Sequence, residues 1–78
     1  MAKLLLLGPA REAAGRRHDE IEGSSVGEIL AAAVARYGTT FGEVLSRSQV
    51  WLNGEPTDES VSVGAHDEVA VIPPVSGG

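Results

Sequence analysis

Residues 67–78, DEVAVIPPVSGG, decide the fold. From Glu68 to Ile72 the apolar residues alternate: Val69 and Val71 face one way, Ala70 and Ile72 the other, which is the period of a strand. Pro73 and Pro74 end that strand, because neither has an N–H for a ladder and each holds the chain extended. The tail from 73 to 78 is therefore expected to leave as a stiff stalk and to become flexible at Gly77 and Gly78, where no Cβ limits the backbone.

Working back from this strand, the rest of the chain supplies its neighbours. AKLLLLG, residues 2–8, reads as a buried first strand ended by Gly8 and Pro9. PAREAAGRR reads as a loop with one helical turn around Ala10 to Ala14, closed at Gly15, and RRHDEIE as a largely exposed second strand. Ser25 and Glu28 then form a capping box at the head of a helix of about three turns. Val26, Ile29, Leu30, Ala33, Val34 and Tyr37 make its single apolar stripe, and Gly38 is expected to end it in a left-handed conformation. TTFGEVLSRS offers a shorter helical turn, capped by Thr40, with Phe41, Val44 and Leu45 inward. Gln49 to Leu52, an Asn53-Gly54 turn and a short return form a hairpin.

One main helix can cover only one face of a small mixed sheet. With the order strand, strand, helix, turn, strand, short strand, strand, the first and last strands lie side by side at the centre as a parallel pair. The expected fold is α+β, a ubiquitin-like β-grasp of four to five strands, one domain over 1–78, with 73–78 as its tail. Leu4 and Leu6 alternate with Leu5 and Leu7, so one set packs on the helix and the other lies on the uncovered face. An apolar patch there, beside the tail, would mark a docking surface; the alternative is that loops cover it.

Composition narrows the function. The chain has 78 residues, 42% hydrophobic and 22% charged, which fits one folded domain with a small core. It has no cysteine, which excludes disulfides, thiolate metal sites and a cysteine nucleophile, and suits a reducing cytoplasm. The longest apolar run, Leu4 to Leu7, is too short to span a bilayer. In residues 1–38 five cations balance five acids, whereas residues 39–78 set Arg47 against Glu43, Glu55, Asp58, Glu59, Asp67 and Glu68 and so carry the whole net charge of −5. Nucleic acid and anionic membranes are poor partners for that half, and a basic protein groove is a better one.

At the tip of the tail the only chemistry is the α-carboxylate of Gly78. It is a poor electrophile until an adenylate supplies a leaving group. Gly8 and Gly15 have no accompanying Gly-Lys-Ser/Thr sequence, so the chain has no phosphate loop and activation must come from a partner. Taken alone, a Gly-Gly ending is an ordinary frayed terminus.

Three stretches carry a resemblance: REAAG at Arg11–Gly15, WLNGEP at 51–56, and DEVAVIPPVSGG. On these the whole chain resembles the MoaD/ThiS family of β-grasp sulfur carriers, and within it the branch of molybdopterin synthase small subunits. The resemblance implies that a ubiquitin-activating-type enzyme adenylates Gly78 with ATP and magnesium. A persulfide donor then converts the adenylate to a thiocarboxylate. The tail inserts into the molybdopterin synthase large subunit, where the sulfur passes to a cyclic pterin. It further implies that Gly77 threads a narrow channel, and that Ile72, Pro73, Pro74, Val75 and Ser76 line the partner groove while Leu7 extends the exposed patch. No cofactor is bound by the chain itself, and alone it is a co-substrate rather than a catalyst. Two departures are visible: His66 replaces the family's glycine before DEV, and Ile72 stands where a bulky aromatic is common.

The remaining candidates have plainer readings. His18 and His66 are exposed histidines with no ligand spacing, so no metal site is expected. Asp58-Glu59 and Asp67-Glu68 are solvated acids, or meet basic residues of a partner. Arg11 pairs with a partner's acid, or with Glu12 or a carbonyl of its own loop. Trp51 is a packing residue. Rival functions are a carrier for the thiamin thiazole or another pathway, a ubiquitin-like modifier that forms isopeptide bonds, and a non-covalent binding module.

Overall fold

The computed structural model describes residues 1–74. Its elements in order are β1 (Ala2–Leu6), α1 (Gly8–Ala14), β2 (His18–Ile21), α2 (Val26–Tyr37), α3 (Thr39–Leu45), β3 (Gln49–Leu52), β4 (Glu55–Pro56) and β5 (Glu68–Ile72). The five strands form one sheet in the order β2-β1-β5-β3-β4. β1 and β5 run parallel at its centre, with Leu5 opposite Ala70 and Leu6 opposite Val71, and the other pairs are antiparallel. The ubiquitin-like β-grasp and its central parallel pair are as the sequence pattern predicts.

Alternation sets the two faces. Leu4, Leu6, Val69 and Val71 are fully buried and share one core with Ala10 of α1, Val26, Ile29 and Ala33 of α2, and Phe41 of α3. All three helices therefore pack on the same side. α2, at 12 residues, is the longest. The Phe41 ring, wholly buried, meets Tyr37 edge to face at 5.1 Å between centroids.

Several local expectations need correction. Residues 9–17 are not a loop with one helical turn around Ala10 to Ala14: residues 8–14 form a seven-residue helix ended, as expected, by Gly15. The extended Leu7 precedes it, Pro9 sits in its first turn where a missing N–H does no harm, and burial of Ala10 anchors it. The turn at 39–45 is likewise a full helix, and Thr40 lies inside it rather than capping it. Gly38 has a positive φ of 102° but a ψ of −173°, so it is not left-handed helical; it is an extended kink, open in practice to glycine alone, that lets α3 start directly after α2. The capping box is half formed. Ser25 Oγ accepts the Glu28 N–H at 3.2 Å, but Glu28 reaches the N–H of Ser24 at 2.9 Å and not that of Ser25. The first donors of α2 are met instead by the segment before β5: Val26 N–H donates to Val61 O and Gly27 N–H to Glu59 O.

The hairpin is as expected, with φ of 51° at Asn53 and 84° at Gly54, the pair of positive values that a tight primed turn requires. Asn53 does more than turn the chain. Its Nδ2 donates to Asp67 Oδ1 and its Oδ1 accepts the Glu68 N–H, each at 2.9 Å, so the turn is tied to the start of β5.

Candidate functional site

Because β1 and β5 are parallel, both end on the same side of the sheet. Leu7 continues from β1 at this end, half-buried, and its carbonyl accepts the N–H groups of Ala10 and Arg11. Ile72 closes β5 opposite Gln49, also half-buried; Pro73 follows half-buried and Pro74 is exposed. Leu7, Ile72, Pro73 and Pro74 are thus brought to one edge, and α1 with Arg11 begins beside them. Val75, Ser76, Gly77 and Gly78 lie outside the described residues. Arg11 is exposed, and among the described residues its guanidinium makes no ion pair or hydrogen bond, so the internal pairing with Glu12 or a loop carbonyl is not seen.

The register assembles a strip on the face away from the helices. His18, Leu5, Ala70, Trp51 and Pro56 lie in one row across all five strands. Leu5, Ala70 and Trp51 are half-buried, and the Trp51 Nε1–H donates to Gln49 Oε1 at 3.1 Å. Ile72 adds to the strip on the tail side. On the other side Lys3 sits between Glu20 and Glu68. None of the described helices covers this face. The result is an apolar band with a charged border on one side, leading to the point where the chain leaves the sheet. Trp51 belongs to this band rather than to the core. Its parity shows why: Val50 and Leu52 point to the helices, so Trp51 cannot.

The strongly perturbed ionisable groups lie elsewhere. Asp19 is on the helix side of β2, with its side chain 11% exposed. Burial alone would raise its carboxyl, but the Tyr37 hydroxyl, the Arg36 guanidinium at 2.9 Å and the Glu20 N–H outweigh burial and hold it down to about 2. Burial and the bond to Asp19 push Tyr37 up to about 12. These groups tie the end of α2 to β2, and burial together with that link accounts for the rise at Tyr37. Asp67 is not simply a solvated acid. The Asn53 amide and the Gly64 N–H hold its carboxyl below the usual range. Asp58 is similarly lowered by the Ser60 hydroxyl and N–H. Among the described residues no group of three or more His, Cys, Asp or Glu is placed to hold a metal, and no polar side chain is fully buried. His18 and His66 are exposed. No described helix is long and apolar enough to cross a membrane.

What this geometry can do is present a face and an end. A mixed sheet with helices on one side and a central strand that runs out into a proline-led tail defines a small ubiquitin-like protein. The ThiS family matches residues 4–78, and the chain belongs to that family. The crystal structure of SAMP1 from Haloferax volcanii is 30% identical, with 99% of this chain and 98% of that one covered and a TM-score of 0.82. A putative molybdopterin converting factor subunit 1 from Pyrococcus furiosus is 24% identical over 95% and 97%, TM-score 0.83. The Amycolatopsis orientalis BexX/CysO complex contains a chain 19% identical over the full length of both, TM-score 0.83. The last two show the shared fold. The protein is a small ubiquitin-like chain of the sulfur-carrier type.

Proposed function

We propose that the chain carries sulfur as a thiocarboxylate on Gly78 and serves as the small subunit of molybdopterin synthase. The observation that carries this reading is the placement of β5. It ends at Ile72 and sends Pro73 and Pro74 out of the sheet beside the apolar band, in a chain whose family match runs through Gly78. The Gly78 carboxylate attacks the α-phosphorus of ATP on an adenylating enzyme that supplies magnesium, and pyrophosphate leaves. The terminal sulfur of a persulfide donor then displaces AMP. A donor thiol splits the acyl disulfide, leaving the thiocarboxylate on Gly78 and a disulfide on the donor. The large subunit takes up the tail, with Leu7, Ile72 and Pro73 to Ser76 along its groove and Gly77 in its narrowest part. An ATP-dependent loading step and a cysteine-free chain both fit the cytoplasm. The chain contributes position rather than catalysis, and with no cysteine its sulfur has only the C-terminus to ride on.

A second reading is favoured by the 30% identity to SAMP1, a small archaeal modifier protein. In that reading a lysine amine, not a sulfur, displaces AMP and an isopeptide bond forms on this chain. One experiment separates the two. The chain is incubated with ATP, magnesium, an adenylating enzyme, a persulfide donor, a large subunit and the cyclic pterin precursor, and its mass is followed with that of every partner. Return of the chain to its unloaded mass with dithiolene formed supports the synthase reading. Covalent adducts on partner lysines that survive reducing agent, with no dithiolene, would replace it with the modifier reading.

A further inference from the structure

The helix side of the sheet is unevenly covered. Leu4, Leu6, Val69 and Val71 are sealed beneath the helices, but Val50 and Leu52, the inward residues of β3, are only half-buried. α2 contacts β2 at the far side of the sheet and leaves β3 partly bare. The gap is an open groove of about 730 Å³ between α2, the end of α3 and the segment after β4. Leu30, Val34, Leu45 and Val50 give it an apolar lining, and Asp58 and Glu59 form its far wall. No Lys, Arg or His lines it among the described residues; Arg47, next in sequence to Ser46 and Ser48 of the lining, is exposed and not part of it.

We propose that this groove is a second docking site, which takes a short cationic segment with apolar side chains from a partner protein. Charge selects the occupant. The chain's own tail would bring the Gly78 carboxylate toward Asp58 and Glu59. A second copy would bring a net charge of −5. Both meet like charge. A segment that alternates Lys or Arg with Val or Leu places its cations on the acidic wall and its apolar side chains over Leu30, Val34, Leu45 and Val50. The wall is already fixed. Glu59 O accepts the Gly27 N–H at 3.0 Å, the Thr57 N–H donates to Val50 O at 3.1 Å, and Asp58 accepts the Ser60 N–H at 2.8 Å, so little ordering is left for binding. The groove also reaches the tail's point of departure, because Gln49, on its lining, is the register partner of Ile72. A partner that holds the tail can therefore fill the groove at the same time, and two linked contacts bind more tightly than either alone. This site does not depend on what the tail carries.

The test is an amide-shift titration of the ¹⁵N-labelled chain with a capped octapeptide alternating Lys or Arg with Val or Leu, and with its counterpart bearing Glu in place of each cation. Saturable shifts are expected at Val34, Leu45, Val50 and Thr57 to Glu59, with Leu5 and Ala70 unmoved and no saturation by the acidic peptide. Asp58→Lys with Glu59→Lys should weaken binding at least tenfold. Glu12→Lys with Glu22→Lys, which changes net charge equally at exposed positions elsewhere, should leave binding within twofold. Should Asp58→Lys disturb its loop, Glu59→Lys alone serves, since Glu59 holds the loop through its backbone carbonyl and its side chain makes no hydrogen bond among the described residues. Absence of saturable shifts, shifts centred on Leu5 and Ala70, or equal weakening by the two double variants would overturn the site. Sulfur loading of Gly78 is not part of the readout, so neither result bears on the carrier reading.

Discussion

The two faces of the sheet are made from adjacent residues of the same strands, yet they are finished differently. Leu4, Leu6, Val69 and Val71 are wholly buried under the helices, whereas Leu5, Ala70 and Ile72, one position along, stay half-exposed with no helix over them. One set holds the fold together and the other leaves an apolar band at the surface, continuous with the tail. Stability and recognition can therefore be altered separately in so small a protein, because a strand's period of two keeps them apart.

Substitutions on the two faces should break this division in opposite ways. Phe41→Ala removes a fully buried ring from the helix side and should cost about 3–5 kcal/mol, read as a fall in the urea midpoint. That loss is a large share of the ~5–15 kcal/mol typical of a whole domain. The Asp19 link comes next. Its carboxyl has a folded pKa near 2 against an ordinary 3.8, so its stabilisation, on the order of 2 kcal/mol, is present above about pH 4 and is lost as pH falls toward 2. Urea unfolding from pH 5 to 2 should show that slope in the native sequence and a flatter one in Asp19→Asn. Tyr37 works at the other extreme: with its pKa raised to about 12, its share is present below pH 10 and fades as pH rises through 12.

On the open face the expectation reverses. Leu5→Asp should leave the urea midpoint nearly unchanged while weakening the complex with an adenylating partner at least tenfold, or about 1.4 kcal/mol, by titration calorimetry. A large fall in stability with unchanged binding would mean that this face is structural after all. The smallest effect is expected at the turn. Asn53→Gly keeps the positive φ but removes the bonds to Asp67 and Glu68, and should cost about 1 kcal/mol in thermal unfolding.

The features legible in the sequence were those carried by local periodicity. Val69 and Val71 against Ala70 and Ile72, the stripe from Val26 to Tyr37, and Asn53-Gly54 each specify their element within a few residues, and together they place β1 beside β5. What depended on distant partners was not legible. The helix at 8–14 carries only one buried residue, Ala10, so its pattern is too faint to separate from a loop. The bond from Tyr37 to Asp19 joins residues 18 apart, and nothing in either neighbourhood announces it. The groove arises from the sideways placement of α2, which no single helix pattern encodes. Trp51 was readable but misassigned as a packing residue: its parity against Val50 and Leu52 puts it on the open face. Of the candidate site, Leu7, Ile72, Pro73 and Pro74 gather at one end as the strand order implies.

The central claim is that this scaffold presents Gly78 for sulfur. The most direct measurement is the intact mass of the chain after incubation with ATP, magnesium, an adenylating enzyme and a persulfide donor, beside the same chain lacking Gly78. The account predicts a gain equal to replacing one oxygen by sulfur in the first and no change in the second. An unchanged mass, with an enzyme shown to be active on another carrier, would contradict it.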